Sequence, residues 1–458
     1  MNKRILPLIL AVPAVFACDS SISYDDYILP TEDVYTAVPA NDFLGSIGVN
    51  SSIDNRGETL EKTVECMEYL GARWIRSGST PPPSRFDPLI AAGVKFSISV
   101  NADDEYDDNE KIYLPIETAK YLKERNALIA MEGANEPNNW DIYYGGEVGG
   151  GSHSWVPLAQ MHTDFYEAVK ATPELADVDV WTISEAGAMV DNVGLQYLTI
   201  PEGAGCLLPE GTRFADAVNI HNYFSHSNFV APQNNQTWLA ADPSSACPVD
   251  GLYGNHGLTW ANKYRGYSEA ECMTIRKVTT ETGITLSNPD DWDEGPISQE
   301  VQGLMYMSCY LAQFARGWEY TSMYILRDRS DEEGNQTFGF YSPEYQPRTA
   351  AHYLHNLTTI LADDQSIANP GRVAFSIPDK PDTVHTLLLQ KFDGTYCLVV
   401  WGEKYLGGTD NIEVRFRDTW STIAVYDPTA GTEAVETLTN TNVVPLEMSN
   451  KPFILQFR

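Results

Sequence analysis

The sequence predicts an α/β protein, a (β/α)8 TIM barrel with a C-terminal antiparallel β-sandwich domain. Between residues 44 and 365, apolar runs of strand length alternate with longer runs whose apolar residues recur at helical spacing, and eight such pairs fit this span. A doubly wound sheet usually holds fewer strands in a shorter chain. From residue 366 to 458 the helical runs stop, and strand-like runs separated by turn dipeptides follow, which is typical of a small sandwich.

Short apolar runs that end in polar residues define the predicted barrel strands. In chain order these strands cover residues 44–49, 72–76, 94–100, 127–132, 178–184, 215–221, 274–281 and 320–325. The helix after the first strand places Leu60, Val64, Met67 and Leu70 on one face, and Gly71 marks its end. Further helices are predicted over residues 116–124, 156–172, 297–316 and 348–361.

The C-terminal domain is predicted from six strand-like runs. They cover residues 373–377, 384–390, 396–401, 412–416, 423–426 and 453–457. Turn dipeptides such as Asp393-Gly394 and Asp427-Pro428 lie between them. The stretch that joins the two domains, residues 362–372, is short and lacks the composition of a flexible Gly/Ser linker, so we expect the sandwich to pack against the barrel.

The N-terminal residues 1–17 have the features of a signal peptide. Lys3 and Arg4 precede an apolar run, residues 5–16, that is too short to span a bilayer. Cleavage after Ala17 leaves two outcomes open, a plain secretory cut or a lipid anchor on Cys18. Residues 18–43 form a tether and N-terminal segment, and no later run is apolar for long enough to predict a transmembrane helix. We therefore expect a secreted or cell-surface protein.

The charge and the cysteines limit the partners. The chain has 30 Lys and Arg residues against 63 Asp and Glu residues, a net charge of −33, so nucleic acid is not an expected partner. A neutral substrate is favoured over a sulfated or uronate-rich one, unless a local basic cleft overrides the overall field. None of the seven cysteines lies in a CxxC pair, and no metal or cofactor is expected. Cys206 and Cys247 are expected to form a disulfide, whereas Cys66 and Cys309 are expected to be buried thiols.

Two glutamates follow separate strands of the predicted barrel. Glu136 follows the fourth strand in Asn135-Glu136-Pro137, and Glu281 ends the seventh strand after Thr280. Reactive side chains of a parallel barrel project from the carboxyl ends of its strands. Cleavage of a glycosidic bond needs two carboxylates, one to protonate the leaving oxygen and one to stabilise or attack the anomeric carbon. The alternative, that Glu136 caps the next segment and Glu281 is solvated on the surface, leaves this clustering unexplained.

Polar residues at other strand ends can support these carboxylates. His221 and Tyr223 are two residues apart on the sixth strand, so they share a face and both can point into the barrel mouth. There they can hydrogen-bond a carboxylate or a sugar hydroxyl. Arg76 ends the second strand and can keep a neighbouring glutamate ionised through charge pairing.

Together these motifs resemble those of the clan A glycoside hydrolases. The C-terminal sandwich is most similar to that of family 39, with family 5 close behind. The resemblance implies that Glu136 is the acid/base, that Glu281 is the nucleophile and that Asn135 contacts the 2-hydroxyl of the substrate. Arg76, His221 and Tyr223 match positions that support the two carboxylates in that clan. The residue at the position of Tyr223 is typically a tyrosine that hydrogen-bonds the nucleophile. No particular substrate is implied, because the clan hydrolyses many.

Other residues are further candidates for the cleft. Glu185 follows the fifth strand, where it can bind a substrate hydroxyl or take the place of the nucleophile, although the clan uses strand seven. Asn101 follows the third strand and is equally suited to a structural turn. Five tryptophans fall in predicted loops, where an indole face can stack on a sugar or simply pack: Trp140, Trp155, Trp238, Trp260 and Trp292.

The sequence therefore predicts an exported retaining glycoside hydrolase that acts on a poly- or oligosaccharide without a cofactor. Two alternatives stay open: a noncatalytic carbohydrate-binding or surface adhesion protein on the same scaffold, and an inverting glycosidase. The separation of the two carboxyl groups distinguishes the mechanisms, because it is about 5–5.5 Å in retaining enzymes and about 6.5–9.5 Å in inverting ones.

Overall fold

The fold is described by a computed structural model for residues 34–79, 82–137, 139–150, 153–154, 156–186, 215–224, 232–244, 270, 273–329, 331 and 337–458. The predicted signal peptide, Cys18, the predicted Cys206–Cys247 disulfide, Trp155 and Trp260 lie outside these residues. The strands are β1 (Val34–Thr36), β2 (Val38–Pro39), β3 (Ile47–Asn50), β4 (Trp74–Gly78), β5 (Lys95–Ser99), β6 (Leu128–Glu132), β7 (Ile142–Tyr144), β8 (Glu147–Gly149), β9 (Asp179–Trp181), β10 (Glu185–Ala186), β11 (Val218–His221), β12 (Lys277–Thr282), β13 (Trp318–Met323), β14 (Arg372–Ser376), β15 (Val384–Gln390), β16 (Tyr396–Gly402), β17 (Asp410–Tyr426), β18 (Ala434–Met448) and β19 (Pro452–Phe457).

Parallel strands close into the predicted barrel. They pair in the order β10, β11, β12, β13, β3, β4, β5, β6 and β9. β9 and β10 share the fifth strand position, because β9 pairs with β6 and β10 pairs with β11. A parallel bridge between Trp181 and Ala217 completes the circle of eight strand positions. Below the mouth, the barrel is filled by buried side chains that include Trp74, Trp181 and Val278.

The barrel helices begin and end where the sequence supplies caps. Gly71 ends the second helix in the left-handed region, with a φ of 68°. Asp107 and Glu110 form a capping box at the start of the fourth, which begins eight residues before the predicted position 116. Ser298 caps the seventh by accepting from the Val301 amide at 3.3 Å. The helices are α1 (Ala40–Ser46), α2 (Leu60–Leu70), α3 (Asp87–Ala91), α4 (Asp108–Lys123), α5 (Val156–Ala171), α6 (Gln236–Ala240), α7 (Gln299–Ala315) and α8 (Thr349–Ile360).

The start of the first barrel strand differs from the prediction. Residues 44–46 belong to helix α1, and the strand begins only at Ile47. Ala40, Phe43 and Leu44 are buried at a spacing of three and four residues, so they form the inner face of a helical turn before the strand starts.

The C-terminal domain is built around the long strand β17. Its residues Arg415 and Phe416 pair with β14, whereas residues 423–426 pair with β19, and the register against β18 shifts between Arg415 and Trp420. β17 therefore pairs with β14 and with β19 at different parts of its length, and the register shift lies between these parts. Phe416 and Phe457 meet in the shared core, with ring centroids 4.9 Å apart.

One prediction for this domain is wrong, and one strand is missing from the prediction. The separate strands predicted at 412–416 and 423–426 are parts of the single strand β17. β18 is not predicted at all, because its Thr- and Asn-rich residues are mostly exposed or half-buried and carry little apolar alternation.

The first described residues join the C-terminal sheet rather than standing apart. β1 pairs antiparallel with β14 at one edge, and β2 pairs parallel with β15 at the other. Since β2 is followed directly by α1 and β3, the chain ties the C-terminal domain to the first barrel strand. Cys66 and Cys309 are buried free thiols, as predicted. Within the described residues, no helix is both long and apolar enough to cross a membrane.

Candidate active site

Two carboxylates meet at the carboxyl ends of the barrel strands. An oxygen of Glu136 and an oxygen of Glu281 lie within 4.8 Å of one another. Glu281 lies in β12, and Glu136 follows β6 in a turn where its φ is 38°. This strained backbone is held by a hydrogen bond of 2.7 Å from the Glu136 amide to the Ser184 carbonyl. The turn therefore has a defined geometry at the barrel mouth.

Three donors from different strand ends surround Glu281. Arg76 Nη1 lies 2.5 Å from Oε1, and Asn50 Nδ2 donates to the same oxygen at 3.3 Å. The hydroxyl of Tyr223 donates to Oε2 at 2.9 Å. Burial raises the pKa of Glu281, while electrostatic interactions with His221 and Arg76 oppose that rise. Burial also raises the pKa of Tyr223 well above its usual range, so this phenol stays protonated and donates.

Arg76 is held by a third buried carboxylate, Glu132. Arg76 Nη2 lies 2.6 Å from Glu132 Oε1, and Nε lies 3.1 Å from Oε2, which is a bidentate pair. Nη2 also donates to Asn135 Oδ1 at 2.8 Å. Burial disfavours the charge on Arg76, but Glu132 and Glu281 outweigh it and raise the pKa of the guanidinium. The Arg76 guanidinium therefore links Glu132, at the end of β6, to Glu281.

His221 contacts the other carboxylate. Its Nδ1 lies 2.8 Å from Glu136 Oε1 and 3.5 Å from Glu281 Oε2. Asn139 Nδ2 donates to Glu136 Oε2 at 3.1 Å. Burial alone would raise the pKa of Glu136, but the hydrogen bond and charge interaction with His221 outweigh burial and lower it. Glu136 Oε1 and His221 Nδ1 are therefore the two ends of one hydrogen bond at the barrel mouth.

The hydroxyl of Thr280 determines which nitrogen of His221 carries a fixed proton. Thr280 Oγ1 donates to Glu132 Oε1 at 3.0 Å, since a carboxylate is its strongest acceptor. The two lone pairs of this oxygen then accept from Asn219 Nδ2 and from His221 Nε2, both at 3.0 Å. Nε2 is thus protonated, and Nδ1 faces Glu136. One further proton lies between Nδ1 and Glu136.

The remaining predicted residues have varied positions. Trp140 is 62% exposed and directly follows Asn139, so its indole is open to solvent beside the site. Asn101 Nδ2 donates to the Ser79 carbonyl and hydroxyl at 3.4 Å. Glu185 lies in β10, where its backbone pairs with Ile220, but its side chain lies outside the described part of the chain.

Two of the tryptophans predicted to lie in loops are engaged in packing. Trp238 lies in helix α6 and stacks on His385 of the C-terminal domain, with ring centroids 4.0 Å apart. Trp292 lies under the guanidinium of Arg348, at 4.7 Å from its ring centroid. Both indole rings contact protein side chains.

Four residues that contact the site are not given a site role by the sequence prediction. Glu132, Asn50, Thr280 and Asn139 all contact a predicted residue. Glu132 and Asn50 end barrel strands, so the strand-end rule that selects Arg76 could have selected them as well.

The same three groups could also surround a cation. Glu136, His221 and Glu281 each offer one atom within 4.8 Å of the others. Both oxygens of Glu281 already accept from protein donors, however, and Arg76 supplies a positive charge at 2.5 Å. This pairing favours a proton-transfer site over a metal site.

Comparison of the structure with solved proteins identifies the fold. It is similar to a family 39 glycoside hydrolase from the gut symbiont Bacteroides cellulosilyticus WH2, with a TM-score of 0.57 and 14% identity over 92% of this chain and 81% of that chain. The predicted resemblance to family 39 is confirmed at the level of the fold. A bifunctional glucanase-xylanase from a metagenome library matches with a TM-score of 0.53 and 10% identity over 93% of this chain and 97% of its own.

A third match is a family 30 endoxylanase from Clostridium papyrosolvens C71. Its TM-score is 0.50 and its identity 12%, over 93% of this chain and 100% of that chain. No protein-family model matches the sequence, and no curated protein matches it. The predicted fold class, a TIM barrel with a C-terminal β-domain, is confirmed by these likenesses together with the strand order of the barrel.

Proposed function

We propose that this protein is an exported retaining glycoside hydrolase that cleaves a poly- or oligosaccharide with Glu136 and Glu281. The observation that carries the proposal is the approach of the two carboxylates, whose oxygens lie within 4.8 Å at the barrel mouth. Retaining enzymes need carboxyl groups about 5–5.5 Å apart, whereas inverting enzymes need about 6.5–9.5 Å to admit a water. The short separation supports retention over inversion.

In the first step, Glu281 attacks the anomeric carbon and forms a glycosyl ester as the bond to the leaving oxygen breaks. Glu136 gives its proton to that oxygen. In the second step, Glu136 takes a proton from water, the water oxygen attacks the anomeric carbon, and the ester bond to Glu281 breaks. Each group thus returns to its starting protonation state.

The surroundings of the carboxylates support this assignment of roles. Glu281 accepts from Arg76, Tyr223 and Asn50, a set that stabilises a negative charge. Glu136 shares a proton with His221 across 2.8 Å, so an acid proton is available next to it. The pKa directions, lowered for Glu136 and raised for Glu281, favour the reverse roles when taken singly. The contacts favour the roles given above, because the hydrogen bond to His221 lowers the pKa of Glu136 while keeping the proton of that bond next to Glu136.

The substrate class in the proposal is a neutral glycan. Proteins of similar fold include an endoxylanase and a bifunctional glucanase-xylanase. The net charge of −33 also favours an uncharged substrate. Export rests on residues 1–17, and a lipid on Cys18 is the alternative to free secretion.

The test is a screen of aryl glycosides and neutral oligosaccharides, with the anomeric configuration of the first product followed by NMR. We expect hydrolysis with retention, and we expect Glu281→Gln to abolish it. An inverted first product would assign the inverting mechanism. Binding to glycans without any turnover would instead favour the noncatalytic carbohydrate-binding alternative.

A further inference from the structure

A buried carboxylate of the C-terminal domain contacts the barrel next to strand six. Glu403 follows β16, and its side chain has no solvent exposure. Its oxygens accept from the Thr237 amide at 2.9 Å, the Thr237 hydroxyl at 2.6 Å and the Trp238 amide at 3.1 Å. Trp401 Nε1 adds a fourth hydrogen bond at 3.3 Å. Both side-chain oxygens of Glu403 thus act as acceptors in these contacts.

Other residues of the C-terminal domain contact the same barrel segment, which is helix α6 and the residue before it. The Asn235 amide donates to the Glu403 carbonyl at 2.9 Å, and Asn235 Oδ1 lies 2.9 Å from His385 Nε2. Trp238 stacks on His385 at 4.0 Å. Helix α6 therefore packs against the C-terminal domain, where the Glu403 side chain accepts three hydrogen bonds from it.

Helix α6 in turn fixes the end of strand six. Gln236 Nε2 donates to the Phe224 carbonyl at 2.6 Å, and Asn222 Nδ2 donates to the Ala240 carbonyl at 3.1 Å. Asn222 and Phe224 flank Tyr223, whose hydroxyl lies 2.9 Å from Glu281 Oε2. The backbone on both sides of Tyr223 is thus attached to the segment that Glu403 holds.

We propose that Glu403 is a positioning residue of the active site, which holds helix α6 and through it places the hydroxyl of Tyr223 on Glu281. The inference rests on the proposed glycosidase function, because it assigns Glu403 a role in that reaction. It also gives the C-terminal domain a task besides packing. Tyr223 belongs to the barrel, and the C-terminal domain supplies hydrogen bonds that hold α6 next to it.

A double-mutant cycle between Glu403 and Tyr223 tests the connection. Tyr223→Phe removes one hydrogen bond to a charged group, and we expect kcat to fall by about tenfold or more. Glu403→Gln turns a carboxylate oxygen into an NH2 group that faces donors, and we expect a similar fall in kcat with KM changed by less than about twofold. In the Tyr223→Phe background, Glu403→Gln should lower kcat by less than about twofold, because the contact it serves is already lost.

Matched variants separate positioning from general destabilisation. Thr237→Val keeps the shape of the side chain but removes one donor to Glu403, so it should show a smaller loss of the same kind. Asn356→Ala removes a different interdomain hydrogen bond, to the Pro428 carbonyl at 2.8 Å, and should leave kcat unchanged. Equal losses from Glu403→Gln with and without the Tyr223 hydroxyl would overturn the proposal.

Amide hydrogen exchange provides a readout that needs no activity. Glu403→Gln should speed exchange in residues 222–224 while leaving β5 unchanged, because residues 222 and 224 are hydrogen-bonded to α6, whereas β5 pairs with β4 and β6. Unchanged exchange in residues 222–224 would overturn the proposal even in an active enzyme. If the wild-type protein hydrolysed no glycoside, the proposed function would fail, and the exchange experiment would still decide whether Glu403 fixes strand six.

Discussion

Glu136 and Glu281 present carboxylate oxygens within 4.8 Å of one another across the barrel mouth. At that distance the two groups cannot titrate independently, and His221 lies in contact with both, at 2.8 and 3.5 Å. Arg76 adds a fixed positive charge on the Glu281 side. With Glu132 beside Arg76, the site contains three acidic groups, one imidazole and one cation. This set is enough to keep Glu281 charged while a proton is available at Glu136.

Removal of each glutamate should affect a different chemical step. Glu281→Ala should be nearly inactive on every substrate, because no glycosyl ester can form. Glu136→Ala should keep turnover on aryl glycosides whose leaving group needs no protonation, and azide should accelerate it by replacing the water that Glu136 no longer activates. Rates measured with and without azide check both expectations.

The configuration of the azide products distinguishes the two roles. Glu136→Ala should give a glycosyl azide of retained configuration, whereas Glu281→Gly should give an inverted one, because azide then occupies the vacated nucleophile face. Exchange of the two configurations would reverse the roles of the glutamates. Full activity in both variants would remove the site altogether.

Much of the site follows from sequence periodicity, and the rest depends on contacts between distant residues. The spacing of His221 and Tyr223 places both at the mouth, but it does not indicate that one meets Glu136 and the other Glu281. That choice depends on the register of neighbouring strands. The pair between Arg76 and Glu132 spans 56 positions, and the contact of Glu403 with Thr237 spans 166. Local patterns carry no information about such pairs.

His221→Ala should move the pH profile of kcat/KM to higher pH. His221 lowers the pKa of Glu136 by a hydrogen bond and by charge, and it lowers the pKa of Glu281 by charge. Without the imidazole both pKa values rise. The acidic limb, where Glu281 must ionise, and the basic limb, where Glu136 must stay protonated, should each move up by about one pH unit. A basic limb that stays in place would contradict proton sharing between His221 and Glu136.

Thr280→Val should weaken catalysis while keeping the side-chain shape. The change removes the hydroxyl that links Glu132 to His221 Nε2, so the proton on that nitrogen loses its acceptor. Loss of one hydrogen bond of this kind costs about 1–3 kcal/mol, which corresponds to a fall in kcat of about fivefold to about 150-fold. Steady-state kinetics on an aryl glycoside measure it, and an unchanged kcat would show that the tautomer of His221 does not matter.

Removal of residues 366–458 should give insoluble protein. The cut takes away the partners of β1 and β2 and exposes the barrel surface around α6, including Trp238. Expression of the truncated chain, followed by separation of soluble and pelleted fractions, tests the expectation. A soluble truncation with full activity would contradict both the packing of the two domains and the role assigned to Glu403.

The domain interface should give the stability of the protein a distinctive pH dependence. Burial raises the pKa of Glu403 from 4.5 to about 7, so the folded protein holds this proton where the unfolded chain has lost it. Its stabilising effect is complete below pH 4.5 and is lost as the pH rises through 7. Burial, with help from Lys380 and Arg316, lowers the pKa of His385 from 6.5 to about 3, so its stabilising effect is present above pH 6.5 and is lost on acidification.

Between pH 4.5 and 6.5, a rise in pH weakens the stabilising effect of Glu403 and strengthens that of His385, so the two changes oppose each other. Glu403→Gln removes the effect that stabilises the protein at low pH and leaves that of His385. The unfolding free energy of the wild type minus that of Glu403→Gln should therefore be larger at pH 5 than at pH 8, by about 2–3 kcal/mol. For His385→Gln the pH dependence should be the opposite. The unfolding free energy of the wild type minus that of His385→Gln should be larger at pH 8 than at pH 5, because the stabilising effect of His385 is lost in acid. Urea titrations of the three proteins at both pH values measure these differences. A difference between the wild type and Glu403→Gln that is independent of pH would mean that Glu403 is ionised throughout and that its four donors outweigh the cost of its burial.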